Sequence, residues 1–192
     1  MKFLLLILLF FAGNSNAQNT IEWDGKYQLQ LSDFASPATQ IGSGNLYSLH
    51  TVSGPEFAFY MSNAEFMFTK NFNSKVSCKF KRDAAVLTAP DSESVKSLIN
   101  FARFEFDLSE LYARKLRKKL YEEKQTFSNV SYMKPLSEEN QAAYAKEHGQ
   151  AGKITDLGRQ AEKLSELHQI VLQEIETLSD FCRTCKPAKK KK

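Results

Sequence analysis

The hydrophobic periodicity changes once along this chain of 192 residues, at Pro90, and no other feature constrains the fold as strongly. Before Pro90, apolar and polar residues alternate over short segments, which is typical of half-buried β-strands. After it, apolar residues recur at helical spacing. Strands with no helix between them are expected to pair antiparallel. The pattern therefore predicts an α+β fold, with an antiparallel sheet from about residues 21–87 packed on long helices from about 92–185.

Four segments form the predicted sheet and three the predicted helices. The alternating residues of the strands are Tyr27, Leu29 and Leu31, then Phe57, Phe59 and Met61, then Phe66 and Phe68, then Val76, Cys78 and Phe80. Asp91 or Ser92 is expected to cap a first helix that covers residues 95–124. Ser137 is expected to cap a short helix that ends at Gly149, and a final helix is predicted from Thr155 to Cys182.

The final helix carries a heptad pattern that has two interpretations. The repeating positions are Leu157, Leu164, Val171 and Leu178, and, offset by four, Ala161, His168, Ile175 and Cys182. Such a repeat is typical of a coiled coil, which would make this helix an interaction surface. Leu167, Leu172 and Phe181 widen the stripe beyond a two-position seam, so we favour a helix that faces the core of its own chain.

Both ends of the chain are expected to lie apart from the folded domain. Lys2, a short apolar run and small residues up to Ala17 predict a secretory signal cleaved near Ala17, and hence a secreted or periplasmic protein. The apolar run is shorter than the roughly 20 residues of a transmembrane helix. The single domain then covers residues 18–187, and residues 188–192 form a basic tail.

The net charge of +4 comes from these ends rather than from the domain. Without Lys2 and the tail lysines Lys189–Lys192, 21 of the 26 basic residues remain, against 22 acidic ones. No aromatic residues are interleaved with the tail, as a nucleic-acid site would require, so no nucleic-acid partner is expected. A weak contact of the tail with an anionic membrane surface stays an open prediction.

Cysteine and histidine are too few for a familiar metal site. Cys182 and Cys185 form a Cys-x-x-Cys pair, but they follow a helix instead of preceding one, where the helix dipole would lower a thiol pKa. A disulfide of Cys78 with either Cys182 or Cys185 is the favoured interpretation in an exported protein. The three histidines, His50, His148 and His168, show no ligand spacing among themselves.

Charged residues on the first long helix are mostly expected on its surface. Arg103 with Asp107, and Glu110 with Arg114, have the four-residue spacing of helix-surface ion pairs. Glu105 lies among phenylalanines, so it either is buried, with the raised pKa that burial causes, or faces solvent.

Residues 98–118 combine a phenylalanine-rich half with the run Glu-Leu-Tyr-Ala-Arg-Lys-Leu-Arg-Lys at 110–118. This segment resembles the helix of a family of small secreted bacterial proteins described as zinc-dependent peptidases. The family helix reads Leu-Leu-x-His-Glu-Gln-x-His-Phe-Asp and continues with a run close to residues 110–118. Trp23 and the Leu-Gln-Leu-Ser-Asp-Phe of residues 29–34 are similar to the family's N-terminal pattern, with Leu31 in place of a second Trp. The resemblance extends from about Ile21 to the final helix and implies a zincin-like fold.

The catalytic half of the family motif is replaced in this chain. The first ligand His falls on Phe101, the general-base Glu on Ala102, and the second ligand His on Glu105. A zincin needs two imidazoles one helical turn apart and a carboxylate between them, so the resemblance implies that zinc is lost and that no catalytic residue remains. A later family segment with a His is similar to residues 144–149, which leaves His148 as a weak ligand candidate beside Glu105.

Three functions follow as expectations. The leading one is an exported, non-catalytic relative of these peptidases that binds a peptide, a protein or an envelope component and needs no cofactor. The second is an active hydrolase with a non-standard site around Glu105 and His148. The third is a structural or interaction protein that acts through the heptad helix.

Overall fold

We describe the fold from a computed structural model, which covers residues 19–42, 44–57, 61–69, 71–124 and 130–187. Small sheets occupy the N-terminal half and long helices the C-terminal half, which confirms the α+β prediction. The predicted signal segment 1–17 and the lysine tail 189–192 lie outside the described residues, as does Phe59. Within the described part, no helix is long and apolar enough to cross a membrane.

In the described residues, six short strands form two three-stranded sheets. The strands are β1 (Thr20–Glu22), β2 (Gln40–Ile41), β3 (Ser48–His50), β4 (Pro55–Phe57), β5 (Val76–Lys81) and β6 (Val86–Ala89). The first sheet has the order β1-β5-β4, and both of its pairings are antiparallel, as predicted. The second has the order β2-β6-β3, in which β3 is antiparallel to β6 but β2 is parallel to it. The expectation of purely antiparallel pairing is therefore wrong for β2.

Two of the predicted strands have a different structure. Residues 27–31 form no strand, because Asp24 accepts hydrogen bonds from the backbone of Lys26 and Tyr27, and Asp33 accepts one from Gln30. These side chains replace the ladder partners that a strand would need. The segment of Phe66 and Phe68 is helix α1 (Asn63–Phe68), capped by the Ser62 hydroxyl, which accepts from the Glu65 amide.

Helix α2 (Ser92–Glu123) lies at the centre of the fold. Asp91 caps it by accepting from the Ser94 amide, as predicted. One side of α2 packs on the strands, chiefly β5 and β6, and the other side packs on the two later helices. Each side has its own apolar cluster. Helix α2 therefore connects the sheets to the later helices.

The two later helices differ in length from the prediction. Helix α3 (Met133–Thr155) begins four residues before Ser137 and continues through Gly149, and helix α4 (Ala161–Thr177) begins after Thr155 and ends before Cys182. Three consecutive residues with positive φ (Asp156, Leu157 and Gly158) make the turn between them. A Cβ at Gly158 would lie 2.3 Å from the Ser97 carbonyl oxygen, so this close approach of the turn to α2 requires glycine.

Most heptad side chains of α4 face the interior of the chain, although Ala161 at its first turn is exposed. Leu164, Val171 and Ile175 are buried in the cluster that α4 shares with α2 and α3. Leu172, one of the residues that widen the stripe, is exposed. The interpretation of α4 as a core-facing helix is confirmed.

The disulfide joins Cys182 to Cys185, so the predicted pairing of Cys78 is wrong. Cys78 is buried in β5, where its thiol lies 3.6 Å from the Phe106 carbonyl oxygen of α2. Burial raises the pKa of this thiol well above its usual value, which keeps it protonated and unreactive. The Cys182–Cys185 turn is held by side-chain amides instead, since Asn71 and Asn73 both donate to the Cys185 carbonyl.

A buried ion cluster ties α2 to the sheet and to the C-terminal segment. Glu110 Oε1 lies 2.9 Å from Arg114 Nε and 2.8 Å from Arg117 Nη1, and all three side chains are buried. Arg117 also donates to the carbonyls of Val76 in β5 and of Phe181. Glu110 and Arg114 therefore pair as their spacing predicted, but in the core rather than on the surface.

Loss of the Glu110 charge should destabilise the fold strongly. Glu110→Gln leaves two buried guanidinium groups without their carboxylate, which costs about 3–5 kcal/mol of the free energy of unfolding. Glu138→Gln is the matched control, because Glu138 pairs with Lys134 at the same spacing on an exposed face of α3. Its cost should stay below about 1 kcal/mol. Urea unfolding of both variants measures the difference, and equal losses would contradict the assigned role of Glu110.

Candidate functional site

The three positions that the resemblance assigns to a peptidase motif are all buried in α2. Phe101 and Ala102 are each 1% exposed, and Glu105 is 5% exposed. The Phe101 ring packs against the rings of Phe104 and His148, with centroids 5.7 and 5.8 Å away. A phenyl ring thus fills the position that the resemblance assigns to the first zinc ligand.

Glu105 meets His148 and Thr51 at a point where three segments converge. Its Oε1 accepts a hydrogen bond of 2.5 Å from the Thr51 hydroxyl and lies 3.3 Å from His148 Nε2. Thr51 directly follows β3, and His148 comes from α3. The structure therefore brings together Glu105 and His148, the two weak candidates from the sequence, and places the carboxylate in the interior.

Tyr144 holds the His148 ring one helical turn further along α3. The two rings are stacked, with centroids 5.9 Å apart and planes 16° apart. The Tyr144 hydroxyl donates to the Ser53 carbonyl at 3.2 Å, and Ser109 Oγ lies 3.1 Å from the same hydroxyl. Burial, followed by the nearby Glu105 charge, raises the Tyr144 pKa, so the hydroxyl stays protonated. This contact fixes α3 against the segment after β3.

The site opens to solvent at the imidazole. The His148 side chain is 34% exposed, whereas that of Glu105 is 7% exposed. The hydrogen bond to Glu105 raises the His148 pKa above its ordinary value of 6.5, although burial acts in the opposite direction. A protonated His148 beside an ionised Glu105 would form a hydrogen-bonded ion pair at the protein surface.

The side chains of Glu105 and His148 do not by themselves fit a catalytic zinc site. Such a site uses three protein ligands, and Glu105 and His148 supply two. Phe101 and Ala102 carry no atom that can bind a metal. Among the described residues there is no group of three or more His, Cys, Asp or Glu side chains placed to hold a metal ion. No step through zinc can be derived from this arrangement.

A second carboxylate–imidazole pair lies on α2 and was missed by the sequence analysis. Asp107 Oδ1 accepts from Trp23 Nε1 at 2.6 Å, and its Oδ2 lies 2.6 Å from His168 Nε2 on α4. The predicted pair of Asp107 with Arg103 is absent, because Arg103 donates instead to the Leu29 carbonyl and to Asn100. The position of His168 in the inward stripe of α4 was the available signal. It indicated a partly buried histidine but not the residue that it contacts.

The remaining candidates are not part of this site. His50 is exposed in β3, and Cys78 is buried between the sheet and α2. Comparisons of the chain with protein-family models, with curated proteins and with solved structures find no match. The Glu105–His148 contact and the resemblance of residues 98–118 are therefore the features that bear on function.

The titration of His148 tests the contact with Glu105. In NMR titrations, the imidazole pKa should lie above 6.5 in the native chain and should fall in Glu105→Gln. Because the folded-state pKa is the higher one, the pair stabilises the fold fully below about pH 6.5. That contribution disappears as the pH rises through the raised pKa.

Glu138→Gln, about 15 Å from His148 along the same helix, serves as the control and should leave the titration unchanged. A His148 pKa that is the same with and without the Glu105 charge would show that the two groups do not interact in solution.

Proposed function

We propose that this protein is an exported, non-catalytic relative of the zinc-dependent peptidases it resembles and that it binds an extended peptide. One observation carries the proposal. The helix position that matches the second zinc ligand, Glu105, contacts His148 and Thr51 beside the edge strand β3. A site beside an edge strand offers a surface for a peptide chain, while its side chains lack the metal ligands needed for metal-assisted hydrolysis.

The edge strand supplies the peptide-binding element. Strand β3 is the last strand of the order β2-β6-β3, so β6 covers only one of its edges. An extended peptide can add to such an edge through main-chain hydrogen bonds. Ser48 and His50 are exposed, and the chain runs on from His50 to Thr51 at the Glu105–His148 contact. A peptide paired with β3 would therefore pass the one ionisable group of this site that is open to solvent.

Export is supported by the sequence and is compatible with the disulfide. The predicted signal up to Ala17 carries this part of the proposal, and the Cys182–Cys185 disulfide agrees with an oxidising compartment. The lysine tail adds the weak contact with an anionic membrane surface proposed from the sequence.

A second candidate is a hydrolase that uses Glu105 and His148, with or without a metal. The observation that favours it is the 3.3 Å contact at a solvent-accessible imidazole. Such a pair could exchange a proton with a bound substrate. We rank it below peptide binding because Glu105 Oε1 is already shared between Thr51 and His148. The third candidate, assembly through the heptad stripe, is disfavoured because Leu164, Val171 and Ile175 are buried within the chain.

Metal content and peptidase activity separate the first two candidates. The purified chain from Gln18 onward, incubated with zinc and dialysed, should retain far less than one zinc ion per chain and should leave fluorescein-labelled casein intact. Elemental mass spectrometry and the release of dye measure the two properties. Stoichiometric zinc would contradict the leading proposal, and hydrolysis that disappears in Glu105→Gln but persists in Glu138→Gln would establish the hydrolase.

Peptide binding at β3 is tested with labelled peptides from a casein digest. Fluorescence anisotropy should show binding that weakens about tenfold in His148→Ala, a loss of about 1.4 kcal/mol. The exposed Glu138→Gln should bind like the native chain. In NMR spectra, the amide signals of residues 48–50 should shift on binding. Shifts confined to another surface, or no binding at all, would overturn the proposal.

A further inference from the structure

A separate polar pocket lies between α2, α4 and the segment that precedes Leu29. Its volume is about 260 Å³, and its polar lining consists of Gln28, Asn100, Arg103, Ser165 and His168. No Asp or Glu is among the residues that line it. It shares no residue with the Glu105–His148 site, so an inference drawn from it is independent of the proposed function.

The imidazole of His168 is held in a fixed orientation at this pocket. Its Nε2 lies 2.6 Å from Asp107 Oδ2, and Trp23 orients that carboxylate from its other oxygen. Phe104 meets the ring edge-on, with centroids 5.9 Å apart and planes at 90°. Within the described part of the chain, no hydrogen bond is formed by His168 Nδ1. Because Asp107 engages Nε2, Nδ1 is the ring atom left for a ligand, and it accepts a hydrogen bond in the neutral ring and donates one only in the imidazolium.

Arg103 brings a positive charge to the same pocket without a carboxylate partner. Its Nε donates to the Leu29 carbonyl at 2.9 Å, and its Nη1 donates to Asn100 Oδ1 at 3.2 Å. It forms no ion pair with any described residue, because Asp107, four residues later, is engaged by Trp23 and His168. Two neutral acceptors thus position a guanidinium whose charge is left for a ligand. Its planar set of donors suits a carboxylate.

We propose that this pocket binds a small organic monoanion through its carboxylate group. Arg103 pairs with the carboxylate, and the amide group of Asn100 and the hydroxyl of Ser165 can donate to it, while the His168 ring lies beside the ligand. One uncompensated cationic side chain matches a single negative charge better than a phosphate dianion. The volume is slightly below the 300–1,000 Å³ of pockets for drug-sized ligands, so the pocket suits a small acid.

Calorimetric titration of the chain from Gln18 onward tests this site with three probes: propionate, benzoate and the neutral benzamide. At least one of the two carboxylates should bind, and benzamide should bind at least tenfold more weakly than benzoate or not at all. NMR spectra should show the His168 imidazole signals shifting with the same midpoint as the heat of binding. Failure of both carboxylates to bind at millimolar concentration would overturn the proposal, as would benzamide binding as well as benzoate.

Two variants with the same change in net charge complete the test. Arg103→Gln should weaken carboxylate binding at least tenfold, and Arg103→Lys should restore part of the loss. Lys163→Gln removes a charge from an exposed position of α4 outside the pocket and should leave the affinity unchanged. Thermal unfolding confirms that each variant is folded. Equal affinity in Arg103→Gln and the native chain, or equal losses of affinity in Arg103→Gln and Lys163→Gln, would show that Arg103 does not bind the anion.

Discussion

The carboxylate of Glu110 is the charge on which the arrangement of this fold depends. It neutralises two guanidinium groups that are buried with it, and those groups extend to carbonyls of β5 and of the C-terminal segment. Buried charges are tolerated only when they are paired and hydrogen-bonded. This one cluster therefore fixes the depth at which α2 lies between the sheet and α4. The positions of the other side chains on α2, including Glu105 and Asp107, follow from this placement of the helix.

The elements that the sequence predicts correctly are those in which the capping residue and the hydrophobic periodicity indicate the same structure. Helix α2 combines a capping aspartate with a helical apolar period over many turns, and it begins where Asp91 predicts. The strand prediction for the segment of Phe66 and Phe68 is wrong because two alternating residues fit a helix as well as a strand, and because Ser62 acts as a helix cap. Helix α3 passes through Gly149 because that glycine is exposed and close to no other side chain, so its cost of about 1 kcal/mol is tolerated.

The candidate site was predicted in its residues but not in its geometry. Glu105 and His148 could be named because a family pattern pointed to them, yet their contact depends on how α3 packs against α2, which the sequence pattern does not specify. The contacts of Thr51 and Tyr144 in this site depend on the path of the segment after β3, which no periodicity encodes. Asp107 was assigned to Arg103 by helical spacing, since a sequence cannot reveal that Trp23, 84 residues away, provides a better donor.

The position of the disulfide changes what it contributes to the protein. A bridge from Cys78 to the C-terminal turn would have closed a loop of about 100 residues, worth about 4.7 kcal/mol in the chain-entropy model. The bridge between Cys182 and Cys185 spans three positions and joins no two elements. Side-chain amides and guanidinium groups hold the same turn on the body of the protein. The folded domain is thus expected to keep its shape whether its surroundings are oxidising or reducing, because the bridge stabilises only the local turn.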